Sequence, residues 1–160
     1  MRRRLNRSCR AVDKKTTNFI WMDNVQKRPG FLIRLLHQKH TAIFNSECRI
    51  DGLTPMMFSI LSVLTQHDKI EQTKLAKLVA IDKTNIVDVL KRLSKMGYVS
   101  RERCNADKRK RYTSISEKGT LLVKKMNHRV LLSHTKTLAP LSDEDKLRFV
   151  YLLEKLLAED

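Results

Sequence analysis

The chain has 160 residues, 41% of them hydrophobic, which is enough for one domain with a buried core and too much for global disorder. Lys and Arg number 33 against 17 Asp and Glu, a formal net charge of +16, and that excess suits a polyanionic partner: DNA, RNA or an anionic membrane surface. No apolar run approaches the ~18 residues of a membrane span, no secretory h-region follows the arginine-rich start, and Cys9, Cys48 and Cys104 lack CxxC spacing, so the expectation is a cytoplasmic protein without a disulfide scaffold.

The position of the charge narrows the choice of partner. Residues 1–28 hold nine Lys and Arg against two acids, and residues 71–119 hold thirteen against six. The intervening and following stretches, 29–70 and 120–160, each carry a net charge of only +1. A basic protein that is merely soluble would spread its charge more evenly.

Residues 1–28 read as a flexible basic arm, with a short helix about Phe19 to Val25 and Trp21 as its one large anchor. Pro29-Gly30 punctuates the chain. Residues 31–48 form an apolar helix through Phe31, Leu32, Ile33, Leu35, Leu36, Ala42, Ile43 and Phe44. Its apolar arc is wider than one buried face needs, which points to a subunit interface.

Thr54-Pro55 is a helix start, an N-cap hydroxyl followed by proline at the first position. That helix is expected to reach about His67. A short helix follows, with Leu75, Leu78 and Val79 inward, and Ile81-Asp82 turns the chain. In the next helix Ile86, Val89, Leu90, Leu93 and Met96 recur at helical spacing, and Gly97 caps it. Tyr98–Arg101 and Tyr112–Ile115 are β-prone and bracket a polar turn, so they read as a hairpin. A long helix is expected over 117–137 and another over 143–158, the latter opened by a capping box of Ser142 and Asp145.

A helix with small polar residues at its N-terminus, followed by a basic hairpin, is the layout of a winged helix-turn-helix. Lys83, Thr84, Asn85 and Asp88 are the candidates for base edges and nearby phosphates, because Asn pairs bidentately with adenine and Thr meets a thymine methyl. Lys91 is expected on phosphate, and Lys74, Arg101, Arg103, Lys108, Lys110 and Arg111 complete the expected DNA surface. Arg109 is the candidate for minor-groove insertion, with Asp107 orienting a neighbouring arginine.

Arg34, His37 and His40 lie on the apolar helix 31–48 and are candidates to meet the anionic group of a small effector, with inter-subunit ion pairing as the other reading. His37 and His40 alone do not complete a zinc site, so no metal and no cofactor are expected. There is no GxSxG, Walker loop or HExxH, and therefore no enzyme is expected.

Several local sequences resemble the MarR family of multiple antibiotic resistance regulators. Leu75-Ala76 and Ile81-Asp82-Lys83-Thr84 look like its two-helix DNA-reading core, and Leu93, Gly97, Tyr98 and Val99 like its exit into the wing. Asp107, Arg109, Ile115, Ser116 and Gly119 resemble the wing signature, and Gly52-Leu53-Thr54 the start of the second helix. Ala80 departs from a frequent Gly, and Glu71 from a common Ser or Thr N-cap. Residues 28–34 are similar to the first helix of members that respond to aromatic acids or their coenzyme A thioesters.

The resemblance implies a mainly α fold, a winged helix-turn-helix with a β-hairpin wing and an all-helical dimerisation region. After the arm 1–28 it implies one domain over 29–160, with the DNA-reading lobe about 53–118 and dimerisation helices about 31–48 and 117–158. The implied function is a homodimeric repressor released from a pseudo-palindromic double-stranded operator by an aromatic acid or its thioester. The alternatives are a redox or metal sensor on the same scaffold and an unregulated architectural nucleic-acid-binding protein.

Overall fold

The computed structural model describes residues 24–158 apart from Asp51, Asn105, Ala106 and Lys108. Most of the expected arm, with Cys9, Trp21 and the greater part of the expected helix about Phe19 to Val25, lies outside the described residues. The chain divides inside its first helix into two units, Met1–His37 and Gln38–Asp160.

In the first unit a 3-10 turn at Val25–Lys27 is capped by Asn24, whose side chain accepts from the Gln26 amide at 2.9 Å. Helix α1 (Pro29–Cys48) then begins at the proline itself, whose missing N–H costs nothing at a first helical position. Its first turns leave Leu32, Ile33 and Leu35 exposed.

The second unit holds the core. Helix α2 (Pro55–Leu64) starts where Thr54 Oγ1 accepts from the Met57 amide at 3.2 Å. It buries Met57, Phe58, Ile60, Leu61 and Leu64, so more than one side is covered. It stops three residues short of the expected end, because the Gln66 amide bonds Val63 O, tightening the last turn.

Strand β1 (Ile70–Glu71) pairs with β3 (Arg111–Ile115), and β3 pairs with β2 (Val99–Arg103), giving a three-stranded antiparallel sheet in the order β1-β3-β2. The hairpin expected from sequence is therefore two thirds of a sheet. Two residues are too few to carry a periodic signal, and β1 owes its state to pairing.

Helix α3 (Gln72–Leu78) buries Leu75 and Ala76 and leaves Leu78 on the surface, contrary to its expected inward position. Helix α4 (Lys83–Lys95) buries Ile86, Leu90 and Leu93 completely. Both helices end in the same way. The Tyr98 amide bonds Leu93 O and the Gly97 amide bonds Ser94 O; the Ile81 amide bonds Ala76 O and the Ala80 amide bonds Lys77 O. These are paired Schellman closures, which need a left-handed residue just past the helix. Gly97 has φ +76° and Ala80 φ +50°, so Ala80 takes a conformation that glycine adopts without strain.

Helix α5 (Glu117–Leu138) is joined to the sheet at one tight point. Ser116 Oγ accepts from the Gly119 amide at 3.0 Å and donates to Gly97 O at 2.7 Å, while the Ser116 amide bonds Tyr98 O at 2.9 Å. A Cβ on Gly119 would lie 2.3 Å from Tyr98 O and 2.8 Å from Ile115 Cγ1. This is the physical content of the Ser-x-x-Gly signature at 116–119.

Helix α6 (Asp143–Leu157) is capped by Ser142, whose Oγ accepts from the Asp145 amide and donates to its carboxylate. No α6 residue is buried in this chain, and Leu147, Leu156 and Leu157 are each more than three-quarters exposed. Among the described residues no helix is long and apolar enough to cross a membrane.

Gly119→Ala is expected to lower the stability of the fold by about 2 kcal/mol, since backbone has to move to admit the methyl group. Ala80→Gly is expected to raise it by up to about 1 kcal/mol through relief of the left-handed strain. Urea denaturation of both variants measures this, and opposite signs at the two sites are the expected result.

Candidate nucleic-acid interface

Burial of Ile86, Leu90 and Leu93 turns the opposite face of α4 outward. Lys83, Thr84, Asn85, Asp88, Lys91, Arg92 and Lys95 are all exposed. Asp88 and Lys91, one turn apart, form an ion pair of 3.0 Å, so the one acid on this face is already held by a neighbouring lysine. Such an exposed pair contributes a few tenths of a kcal/mol and yields readily to a stronger partner. Lys74 and Lys77 are exposed on α3. Lys77, which the sequence reading left out, lines a crevice of about 310 Å³ together with Lys83 at the start of α4. Its place three residues after Lys74 was the available signal.

The wing is shaped by its backbone. The Cys104 amide bonds Lys110 O, the Lys110 amide bonds Asp107 O, and Asp107 Oδ1 accepts from the Arg109 amide at 3.0 Å. Asp107 thus fixes the main chain at Arg109 rather than a guanidinium, as expected for an Asx turn. Arg103, Arg109, Lys110 and Arg111 are exposed, while Lys108 lies outside the described residues. Arg103 stands directly opposite Arg111 across the ladder. Like charges in that position destabilise a sheet.

Arg101 differs from the other basic residues of the wing. It is half-buried, donates to Gln72 Oε1 at 3.1 Å, and its Nε is buried without a partner. Burial lowers its affinity for a proton, and Arg111 adds to the effect. Its cross-strand partner Thr113 also has a buried hydroxyl without a partner. Arg101 therefore ties the wing to the start of α3 instead of facing outward with the rest.

The three expected effector residues fall in different places. In the first unit Arg34 lies over the Phe31 ring, 4.8 Å from its centroid, and His37 is exposed. In the second unit His40 lines a groove of about 390 Å³, floored by Phe44, Phe58, Val63 and Val130. His134, which sequence reading missed, lines the same groove and stacks on His40 with centroids 4.9 Å apart. The two are 94 positions apart, beyond the reach of local spacing. Thr137 donates its one proton to Ser133 O at 2.8 Å, so its oxygen accepts from His40 Nδ1 at 2.9 Å.

Burial pushes the Cys48 thiol up, and the opposing attraction of Arg129 is smaller. A thiol held in its protonated form is a poor nucleophile. Among the described residues no three His, Cys, Asp or Glu side chains gather to hold a metal ion.

The model of the family described as MarR family matches residues 53–110, from the approach to α2 to the turn that precedes β3. The HTH-type transcriptional repressor NicR of Pseudomonas putida is 29% identical over 154 residues, covering 93% of this chain and 98% of the relative. A probable transcriptional regulator from Pseudomonas aeruginosa has a TM-score of 0.77 at 28% identity, over 83% of this chain and 99% of that one. The structure of Bordetella bronchiseptica BpsR, described in connection with regulation of its DNA binding by 6-hydroxynicotinic acid, has a TM-score of 0.76 at 27% identity, over 84% and 96%. These relatives are regulators rather than enzymes. The chain thus matches the MarR family model over residues 53–110 and is similar over nearly its full length to transcriptional regulators.

Proposed function

We propose that the chain is a homodimeric repressor that reads a pseudo-palindromic DNA operator with α4 and the wing and is released from it by a small aromatic acid. The observation that carries the DNA reading is Arg103 facing Arg111 at the outer end of the wing's ladder, next to a tip that holds Arg109 and Lys110. An arrangement that weakens the free protein is accounted for by an anion that relieves it, and the phosphate backbone is such an anion. Lys74, Lys83 and Lys91 extend the same charge along α3 and α4. Thr84 and Asn85, at the N-terminal turn of α4, are the residues suited to base edges.

The dimer reading rests on α6. A helix with Leu147, Leu152, Leu153, Leu156 and Leu157 all exposed is soluble only when a partner covers it. The repressor reading is supported by similarity to NicR.

The effector reading rests on the groove at His40 and His134. It is apolar with a few polar groups, and its size suits a single-ring acid better than a whole coenzyme A thioester. A single aromatic ring fits between the Phe44 and Phe58 side chains and the stacked His40 and His134 rings. BpsR supplies 6-hydroxynicotinic acid as the first compound to try.

Asn85→Ala and Arg109→Ala are each expected to weaken operator binding by about 1–3 kcal/mol while the thermal midpoint stays unchanged, measured by fluorescence anisotropy. Arg109→Ala is also expected to flatten the salt dependence if Arg109 displaces a counterion. Unchanged affinity in both variants removes α4 and the wing from the interface.

His40→Ala and His134→Ala are expected to keep operator affinity and to raise the concentration of aromatic acid needed for release. By linkage the acid must bind the free protein more tightly than the DNA complex. Calorimetry with and without operator reads that difference, and equal affinities would rule out release by the acid.

A further inference from the structure

A second cavity, separate in its lining residues from the histidine groove, lies where the end of α1 meets α5. Its volume is about 330 Å³. Cys48, Ile50, Leu122 and Met126 give it an apolar floor, and Arg49, Lys125 and Arg129 supply three cations. No carboxylate is among the described residues that line it. The nearby Glu47 carboxylate is taken by Lys136 at 2.6 Å, and Arg129 donates to the Glu47 main-chain oxygen at 3.0 Å. Arg49 likewise donates to a main-chain oxygen, that of Ser46, at 3.3 Å.

The three cations stand together at the surface. Lys125 and Arg129 are four residues apart on one helix face, a spacing at which like charges repel. Arg49 joins them from a left-handed backbone, φ +51°, which a non-glycine residue holds only under constraint. The groove at His40 and His134 has no fixed charge in its lining, whereas this cavity has three.

We infer that the cavity at the junction of α1 and α5 is a binding site for a small organic phosphate. A phosphate monoester carries about −1.5 to −2 charges at neutral pH, closer to the three cations than a monocarboxylate comes. Its oxygens accept from the guanidinium forks of Arg49 and Arg129 and from the Lys125 ammonium. Its organic part covers Ile50, Leu122, Met126 and the Cys48 sulfur. The site stands on its own residues and is independent of the effector reading above.

The test is calorimetric titration of the full-length protein with phenyl phosphate, inorganic phosphate and benzoate. Phenyl phosphate is expected to bind at least about tenfold more tightly than either of the others, since each lacks half of the recognised chemistry. Lys125→Gln and Arg129→Gln are each expected to weaken phenyl phosphate about tenfold, the loss of one charge-assisted hydrogen bond. If Arg129→Gln fails to fold, Lys125→Gln decides the matter. Equal binding of benzoate, or affinity indifferent to the substitutions, would overturn the assignment. So would a loss of operator affinity with a flattened salt slope in the two variants, which would give these cations to the DNA backbone.

Discussion

The approach of Tyr98 O to Gly119 sets the geometry of the reading apparatus. At this point the end of α4, the root of the wing and the start of α5 come within hydrogen-bonding distance of one another. Ser116 serves all three at once: its hydroxyl holds Gly97 O and the Gly119 amide, and its own amide holds Tyr98 O. Lys118 adds a bond to Met96 O at 2.8 Å, closing the last turn of α4 from the far side. A wing anchored in this way keeps a fixed offset from the reading helix.

Around that junction the molecule separates its energetics by face. Ile86, Leu90 and Leu93 from α4 and Thr113 from β3 are fully buried and hold the lobe together. The opposite surface carries cations in numbers that repel one another. Arg101 marks the boundary: a guanidinium turned inward, bonded to Gln72, with Nε buried opposite the hydroxyl-bearing Thr113. Two polar side chains left short of partners at the base of the wing make that region the place where the lobe tolerates strain. The effect is to couple wing position to the start of α3, and therefore to the whole reading surface.

Much of this was legible in the chain because it is written in local chemistry. Thr54-Pro55, Gly97 and Ser142 announced helix ends, and each cap bond is present. The α4 stripe was visible as a 3.6-residue period because its helix is buried on one side only. Ala80 was visible as a departure from glycine, and its φ of +50° shows what that position demands. Other features depended on contacts between distant residues. β1 is two residues long and exists through β3. Leu78 follows the apolar pattern yet is exposed, because Leu75 and Ala76 set the inward face of α3. Arg101 looks like any other wing cation until its burial is known. His134 acquires its partner 94 positions away only when α1 and α5 are packed together. The charged cavity beside Cys48 has the same origin.

The central claim is that two copies of one rigid reading surface address DNA at a fixed spacing. Hydroxyl-radical footprinting of the purified protein on a DNA fragment carrying its operator measures that spacing directly. The account predicts a discrete protected region with two symmetric half-sites about one helical turn apart, ~10 base pairs from centre to centre. Even protection along the fragment, growing with protein concentration and without a two-fold pattern, would contradict it.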